Sequence, residues 1–277
     1  MVRLKNILLR LIRIIRDPAM LFLPGNLAFF LVLSIFPILT LIGFIASFFS
    51  MSVDLPVISD ILPSNIVDIL LPYVQGRGFD RNVGLFVIIG FILASNGADA
   101  IVIASNTLYG IPNSNYLKRR IKDFFLIILI ISLFLFLILF LTFGNQLLNY
   151  LMQYVNNEYL YKLIYKIFVL LKWPFAMFII FFNVKIIYTI APDSKIYSRT
   201  TTEGALFTTV AWSVATSIFT YYVKHFSHYG LFYGSLSNII VLILWIYLLS
   251  YILVIGIAIN VQRYNVKNVS DMNNHEL

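Results

Sequence analysis

Ser95, Asp99, Val102 and Asn106 recur at i, i+4, i+7 and i+11, a spacing that places them on one side of an α-helix. With Asn96 they belong to Ala94–Asn106, the most polar and least bulky part of a long apolar segment. Turned toward lipid such a stripe is costly, roughly 2.5–3.5 kcal/mol for an Asp at the helix centre. It is therefore expected to look inward, toward other helices or a wet cavity. Two roles are open to Asp99. It carries a proton between the two sides of a membrane, or it is held by a nearby Ser or Asn as a packing residue. Asn96 and Asn106 read first as interhelical glue.

Other chemistry finds little support. A hydrolase or nuclease needs paired acids, a metal cluster or an activated nucleophile. The histidines are His225, His228 and His275, and the two that lie close together have no Asp, Glu or Cys beside them. With no cysteine in the chain, disulfides, thiolate catalysis and Cys-ligated metals are excluded. No GxxxxGK loop is present to cradle a nucleotide phosphate. The expectation is a protein that is not an enzyme, with no catalytic residue, cofactor or metal site.

The elements that position the stripe follow from hydropathy. The chain is 60% hydrophobic and 12% charged, about half the charged share of a soluble domain. Six apolar runs approach the length of a bilayer crossing: about 27–49, 83–108, 124–143, 167–190, 204–223 and 236–260. The fold class is thus an all-α integral membrane protein, a six-helix bundle in one domain over residues 1–265. Residues 266–277 read as a flexible tail.

Ser34 and Pro37 in the first run mark a candidate kink, Ser34 being placed to satisfy a carbonyl freed by the proline. Residues 3–16 alternate Leu and Ile with Arg and Lys as an amphipathic interfacial helix, which Asp17-Pro18 ends. Between the first two runs, Ile61–Val74 is too short to span and reads as an interfacial or re-entrant helix. Asn113–Lys122 is a short basic loop. Phe124–Phe143 looks peripheral, whereas the Ser-, Thr- and Ala-rich fifth run looks central. Thr200-x-x-Glu203 has the form of a capping box ahead of it. Tyr229, Gly230, Tyr233, Gly234 and Ser235 form a glycine-aromatic turn before the last run.

With the N-terminus inside, the inner segments hold 13 Lys and Arg against 5 in the outer ones. The positive-inside rule then puts both termini in the cytoplasm. The formal net charge of +8 is read as basic residues near anionic lipid headgroups, above all at the N-terminal helix, and not as nucleic-acid binding. A second copy of the chain is a candidate partner.

Several landmarks fall in a consistent order: Ser34-Ile-Phe-Pro37, Asn106-Thr-Leu-Tyr109, Tyr188-x-x-x-Pro192, Gly204-Ala205, Tyr233-Gly-Ser-Leu236, Trp245 and Gly256-x-x-x-Asn260. Together they resemble the YihY family of bacterial inner-membrane proteins, also called the virulence factor BrkB family, over nearly the whole chain. The resemblance implies a six-helix inner-membrane protein of poorly defined activity. The label ribonuclease BN that members have carried is widely regarded as a misassignment, so a ribonuclease is a remote alternative. This chain has Gly256-Ile-Ala258 where the family often has Gly-Ala-Glu, which removes any role resting on that acid. Two functions remain: a transporter or flippase-like protein for a small solute or amphiphilic lipid, or a non-catalytic scaffold of the envelope.

Overall fold

In this computed structural model, the structure describes residues 16, 18–48, 83–152, 158–225 and 234–275. Among them are six α-helices and no strand: α1 Ala19–Phe48, α2 Val83–Tyr109, α3 Tyr116–Met152, α4 Glu158–Ile190, α5 Thr202–His225 and α6 Ser237–His275. A short 3-10 turn, Gly234–Leu236, leads into α6. The amphipathic segment 3–16 and the segment 61–74 lie outside the described residues.

Each helix packs on its neighbours in chain order. The ring closes where α6 meets α1, and α6 also reaches α2. Among the described residues, four stretches are long and apolar enough to cross a membrane: Ile89–Tyr109, Leu163–Ile190, Thr202–His225 and Ser237–Tyr264. In α1, Ala19–Ser34 is a shorter apolar stretch. Protein buries 56% and 50% of the apolar windows in α2 and α6 but only 12% and 11% in α4 and α5. The core therefore runs along α2 and α6, through Ala94, Ala98, Val102, Leu253, Val254 and Ile257.

Two close crossings hold this core. Gly97 of α2 lies against α1, where an added Cβ would stand 2.8 Å from the Ser34 hydroxyl and 3.2 Å from Leu31. At the second, Gly204 of α5 meets Gly256 of α6. A Cβ on Gly204 would land on the Gly256 carbonyl oxygen and the Asn260 side chain; one on Gly256 would land on Thr208 and the Tyr188 hydroxyl. The Gly204 N–H, free at the start of α5, donates to Asn260 Oδ1 at 2.8 Å. Tyr188 of α4 donates to the Leu253 carbonyl at 2.8 Å and shares a 2.6 Å hydrogen bond with Thr208. Three widely separated landmarks of the sequence thus meet at one point.

Several expectations are corrected. The small-residue helix α5 is peripheral: it buries only Gly204, Ala205, Thr208 and Thr209, while Leu206, Val214 and Ile218 stay exposed. The hydroxyls of Ser213 and Ser217 need no neighbour, because they bond to the carbonyls of Thr209 and Ser213 one turn back. Helix α3 starts at Tyr116, so Lys118, Arg119, Arg120 and Lys122 ride on its first two turns and not on a loop. It is not wholly peripheral either, since Leu126, Ile127 and Ile131 are buried. The capping box does not form. Thr200 donates to the Tyr197 carbonyl at 2.8 Å, and Glu203 faces Arg263 at 3.5 Å. Helix α6 runs on to His275.

Replacing Gly204 by Ala forces a methyl group onto backbone, so the cost should reach at least the upper end of overpacking losses, about 3 kcal/mol. Gly25→Ala meets nothing within 4 Å and should be neutral or stabilising by up to about 1 kcal/mol. Thermal unfolding of both variants in the same detergent measures the contrast.

Candidate functional site: a charged knot where α2, α3 and α4 meet

Helix α2 stops at a glycine turn. Gly110 takes φ +65°, its N–H bonds to the Thr107 carbonyl at 3.2 Å, and the Ile111 N–H bonds to the Asn106 carbonyl at 2.8 Å. This is the Schellman pattern, which uses up orphan carbonyls and reverses the chain. The reversal carries the basic first turns of α3 back along the polar half of α2.

Three contacts result. Arg119 Nε lies 2.6 Å from Asp99 Oδ1, with both side chains mostly covered. The oxygen gains no aligned hydrogen bond there, so the contact is a charge pair. Arg120 reaches further along α2. One guanidinium nitrogen donates to Asn96 Oδ1 and the other to the Ile92 carbonyl, each at 3.0 Å. Its plane lies 5.4 Å from the Phe124 ring, which stacks on Phe91. Lys122 points the other way, to the end of α4. It pairs with Asp193 and donates to the carbonyls of Pro192 at 3.0 Å and Ala191 at 3.3 Å. Pro192 blocks further helix, and a cation at a helix C-terminus meets the negative end of its dipole.

Asn106 completes the knot. Its amide donates to Asp193 Oδ2 at 2.7 Å and to Asn113 Oδ1 at 2.9 Å, and its oxygen accepts the Asp193 N–H at 2.8 Å. Ser114 N–H adds a bond of 2.9 Å to Asp193 Oδ2. Burial alone would push the Asp193 carboxyl up; Lys122, Ser114 and Asn106 outweigh it and hold the group well below the usual carboxylate range.

Asp123 is the acid that sequence reasoning passed over. It immediately precedes the apolar run Phe124–Phe143, is 1% exposed, and its Oδ1 has no partner among the described residues. Burial and the neighbouring Asp99 raise its pKa, against the pull of Arg120, Arg119 and Lys122. One carboxylate amid four basic residues looks like ordinary surface in a sequence, and no sequence signal marks it, since the apolar run after it shows no preferred face; the structure sets Asp123 on the face of Ile127 and Ile131, which are buried.

The predicted stripe is only partly brought together. Ser95 is buried, but its hydroxyl turns back to its own helix, to the Ile92 carbonyl at 2.7 Å. Asn96 serves Arg120. Asp99 takes Arg119 and not a Ser or Asn. Asn106 lies at the Asp193 end. In α1, Ser34 donates to the Phe30 carbonyl at 2.7 Å and approaches the Leu93 carbonyl at 3.4 Å, so it serves the crossing at Gly97 and not a carbonyl freed beside Pro37. The Pro37 side chain is outside the described residues. So are Tyr229, Gly230 and Tyr233 of the predicted outer turn, and the side chain of Ser235. Gly234 is described and has φ +52°. His225 bonds to the Tyr221 carbonyl at 3.0 Å and stacks on that ring. Among the described residues no three His, Cys, Asp or Glu stand together as metal ligands.

Comparison with known proteins shows the family. The chain matches the family described as Virulence factor BrkB over residues 13–276 and belongs to it. It is 28% identical over 255 residues to a ribonuclease-like protein, YfkH, of Bacillus subtilis, covering 90% of this chain and 92% of the relative. A UPF0761 membrane protein of Vibrio campbellii is 28% identical over 242 residues, 84% of this chain and 74% of the relative. Another UPF0761 membrane protein, from Alteromonas mediterranea, is 39% identical over 70 residues, 25% of this chain and 24% of the relative. No solved structure matches.

The two buried acids should respond to pH with opposite signs. Asp193, with its folded pKa lowered, stabilises the fold above the ordinary carboxylate range, and that contribution is lost as the pH falls through it. Asp193→Asn should therefore cost stability at neutral pH, on the order of 3 kcal/mol for leaving Lys122 without its charge partner, and the cost should shrink on acidification. Asp123, with its folded pKa raised, stabilises at low pH and loses that contribution as the pH rises. Asp123→Asn should gain on the native protein as the pH rises from about 4 to about 7 and hold that gain above it. Melting curves from about pH 2 to about pH 8 read both, the Asp193 change below about pH 4 and the Asp123 change above it.

Proposed function

We propose that this BrkB-family membrane protein is a carrier, a transporter or flippase-like protein for a small solute or amphiphilic lipid, with the polar half of α2 in its path. In this reading all six helices cross the bacterial inner membrane and both termini are cytoplasmic. The charged knot then lies at the cytoplasmic end, where the positive-inside rule gathers Lys and Arg. The observation that carries the reading is the pair Asp99–Arg119, flanked by Arg120 on Asn96.

A buried ion pair is poor value as stabilisation alone, since desolvation takes back most of its attraction and apolar replacements often do as well. Its physical distinction is that it has two states, made and broken. Made, it ties the start of α3 to the middle of α2. Broken, it exposes Asp99, Asn96 and the Ile92 carbonyl to whatever approaches from that end. The knot thus acts as an inner gate, and Asp123 beside it gives the gate a group that protonation would change.

A scaffold is the second reading, and a specific observation favours it. Asn106, Asp193 and Lys122 satisfy one another with no group left over for a ligand, as a rigid strut would. A ribonuclease draws support only from the name of one relative.

The test compares leaflet-resolved lipid and metabolite distributions in cells with the native protein, without it, and with Asp99→Asn. A carrier redistributes some species, and Asp99→Asn shifts that redistribution while the protein remains folded. The double variant Asp99→Arg, Arg119→Asp should restore a large part of it. Identical distributions in all the strains overturn the carrier reading.

A further inference from the structure

Lys185 places a charge inside the apolar stretch Leu163–Ile190 of α4. The ion pairs among the described residues commit Asp99, Asp193 and Glu203 to Arg119, Lys122 and Arg263, and none includes Lys185. Its ammonium lies instead 5.9 Å from the centroid of the Phe181 ring. Phe181 is one turn back toward the middle of α4, so the head is turned away from the charged knot and its acids.

The surface beside Lys185 is apolar and open. Protein buries little of this helix, and Phe178, Phe182 and Ile186 are exposed on one face of it. Lys185 follows Phe178 by seven residues and Phe182 by three, which sets it along an edge of that face. Its side chain is half-buried there. One turn on, the Thr189 hydroxyl lies 3.0 Å from that of Thr201, just ahead of α5. Lys185 therefore stands one turn inside the crossing of α4 and the start of α5.

A cation in such a place is costly unless an anion joins it, and a ring face returns less than a full counter-charge does. The rise from Lys185 to Ile190 is about 7.5 Å. That is short enough for the flexible lysine stem to lift its head to the phosphate layer of the leaflet at that end.

We propose that Lys185 holds the phosphate of an anionic phospholipid whose chains lie along Phe178, Phe182 and Ile186. Two features select this occupant. One ammonium matches a phosphodiester with a single negative charge, and a zwitterionic headgroup cancels that match with its own cation. The exposed side chains run from Lys185 back along the membrane-spanning part of α4, as acyl chains run below a phosphate. A soluble anion would use the first feature and nothing of the second.

Binding at Lys185 requires that α4 cross the bilayer, as in the reading above, and does not require transport. Its test reads retained lipid and no flux, so loss of the site and loss of the carrier are separate results. The full chain in mild detergent, stripped of lipid, is titrated with phosphatidylglycerol or phosphatidylcholine, and bound lipid is counted by native mass spectrometry. Phosphatidylglycerol should bind more tightly. Lys185→Gln should weaken it about tenfold, the loss expected when a hydrogen bond to a charged group is removed, and bring it near phosphatidylcholine. Lys185→Arg should keep the affinity. Lys195→Gln, which removes an exposed cation from the loop after α4, should leave it unchanged.

With no ion pair to lose among the described residues, Lys185→Gln should melt with the native protein in lipid-free detergent; Lys185→Met, which keeps the length of the stem, repeats the titration should the glutamine variant not fold. Equal affinity of the native protein for the two lipids overturns the proposal. An equal loss from Lys195→Gln means a diffuse basic surface and overturns it too. Displacement of the lipid by inorganic phosphate at the same concentration means an ion site without a lipid face, and overturns it as well.

Discussion

Asp193 ties three segments that the chain keeps far apart. Its carboxylate takes the Lys122 ammonium from α3, the Asn106 amide from α2 and the Ser114 N–H from the turn between them. Its own N–H goes back to Asn106. Ala191 and Pro192 are buried by the protein itself, and a backbone group buried without a partner costs about as much as a lost hydrogen bond. The end of α4 would bring such a debt with the carbonyls of Ala191 and Pro192. Lys122 settles both while pairing with Asp193, so one side chain satisfies a helix terminus and fixes the register of α3 on α4. Once that register is set, Arg119 and Arg120, three and two residues earlier, have no choice but to meet α2.

Packing sets the complementary constraint. Without a hydrophobic drive between helices inside lipid, association relies on close approach and on hydrogen bonds. The structure concentrates both at Gly204–Gly256. Backbones touch there because neither helix carries a Cβ, and the contact is pinned by Asn260 on Gly204 and by Tyr188 on Thr208 and Leu253. The same economy explains why α5 can be peripheral. Its backbone approaches the bundle at its first turns; further along it is held by side chains, the Trp212 indole donating to the Leu249 carbonyl at 2.9 Å and Phe219 packing on Leu242, Trp245 and Ile246.

What the sequence discloses and what it withholds divide along physical lines. Helical apolar runs and the stop at Gly110-Ile-Pro112 are local properties, and they are legible. So is the need of Asn106 for a partner. The identity of the partner is not local. Asp99 meets Arg119 only because the Schellman turn at Gly110 folds α3 back at one particular angle, and nothing in Asn113–Lys122 distinguishes a loop from two turns of helix. Helix α3 shows the same limit in another form. A run that is apolar all round carries no sign of which face is buried, so Ile127 and Ile131 cannot be told from Phe125 and Ile128. Thr200 fails as a cap for a competing reason. A threonine hydroxyl bonds as readily to a carbonyl three residues back as to an N–H ahead, and here the Tyr197 carbonyl wins.

The placement of Asp99 changes what the polar half of α2 can mean. As an acid at mid-bilayer it would need a proton or a deep water channel. Beside Arg119, on the first turns of α3, it stands level with the basic end of the bundle, where four Lys and Arg of α3 gather within five residues. Asp123, one turn along α3 from Arg119, also has an oxygen without a hydrogen bond among the described residues. Two acids and one guanidinium in reach of each other make a three-body system: protonation of Asp123 strengthens the hold of Arg119 on Asp99, and ionisation of Asp123 competes for it. Arg120 cannot join that competition freely, because Asn96, the Ile92 carbonyl and the Phe124 ring already fix its plane. Arg120 and Lys122 still pull on Asp123 through space, but the pairing that can change is that of Arg119, and the segment it governs is the first turn of α3 against the middle of α2.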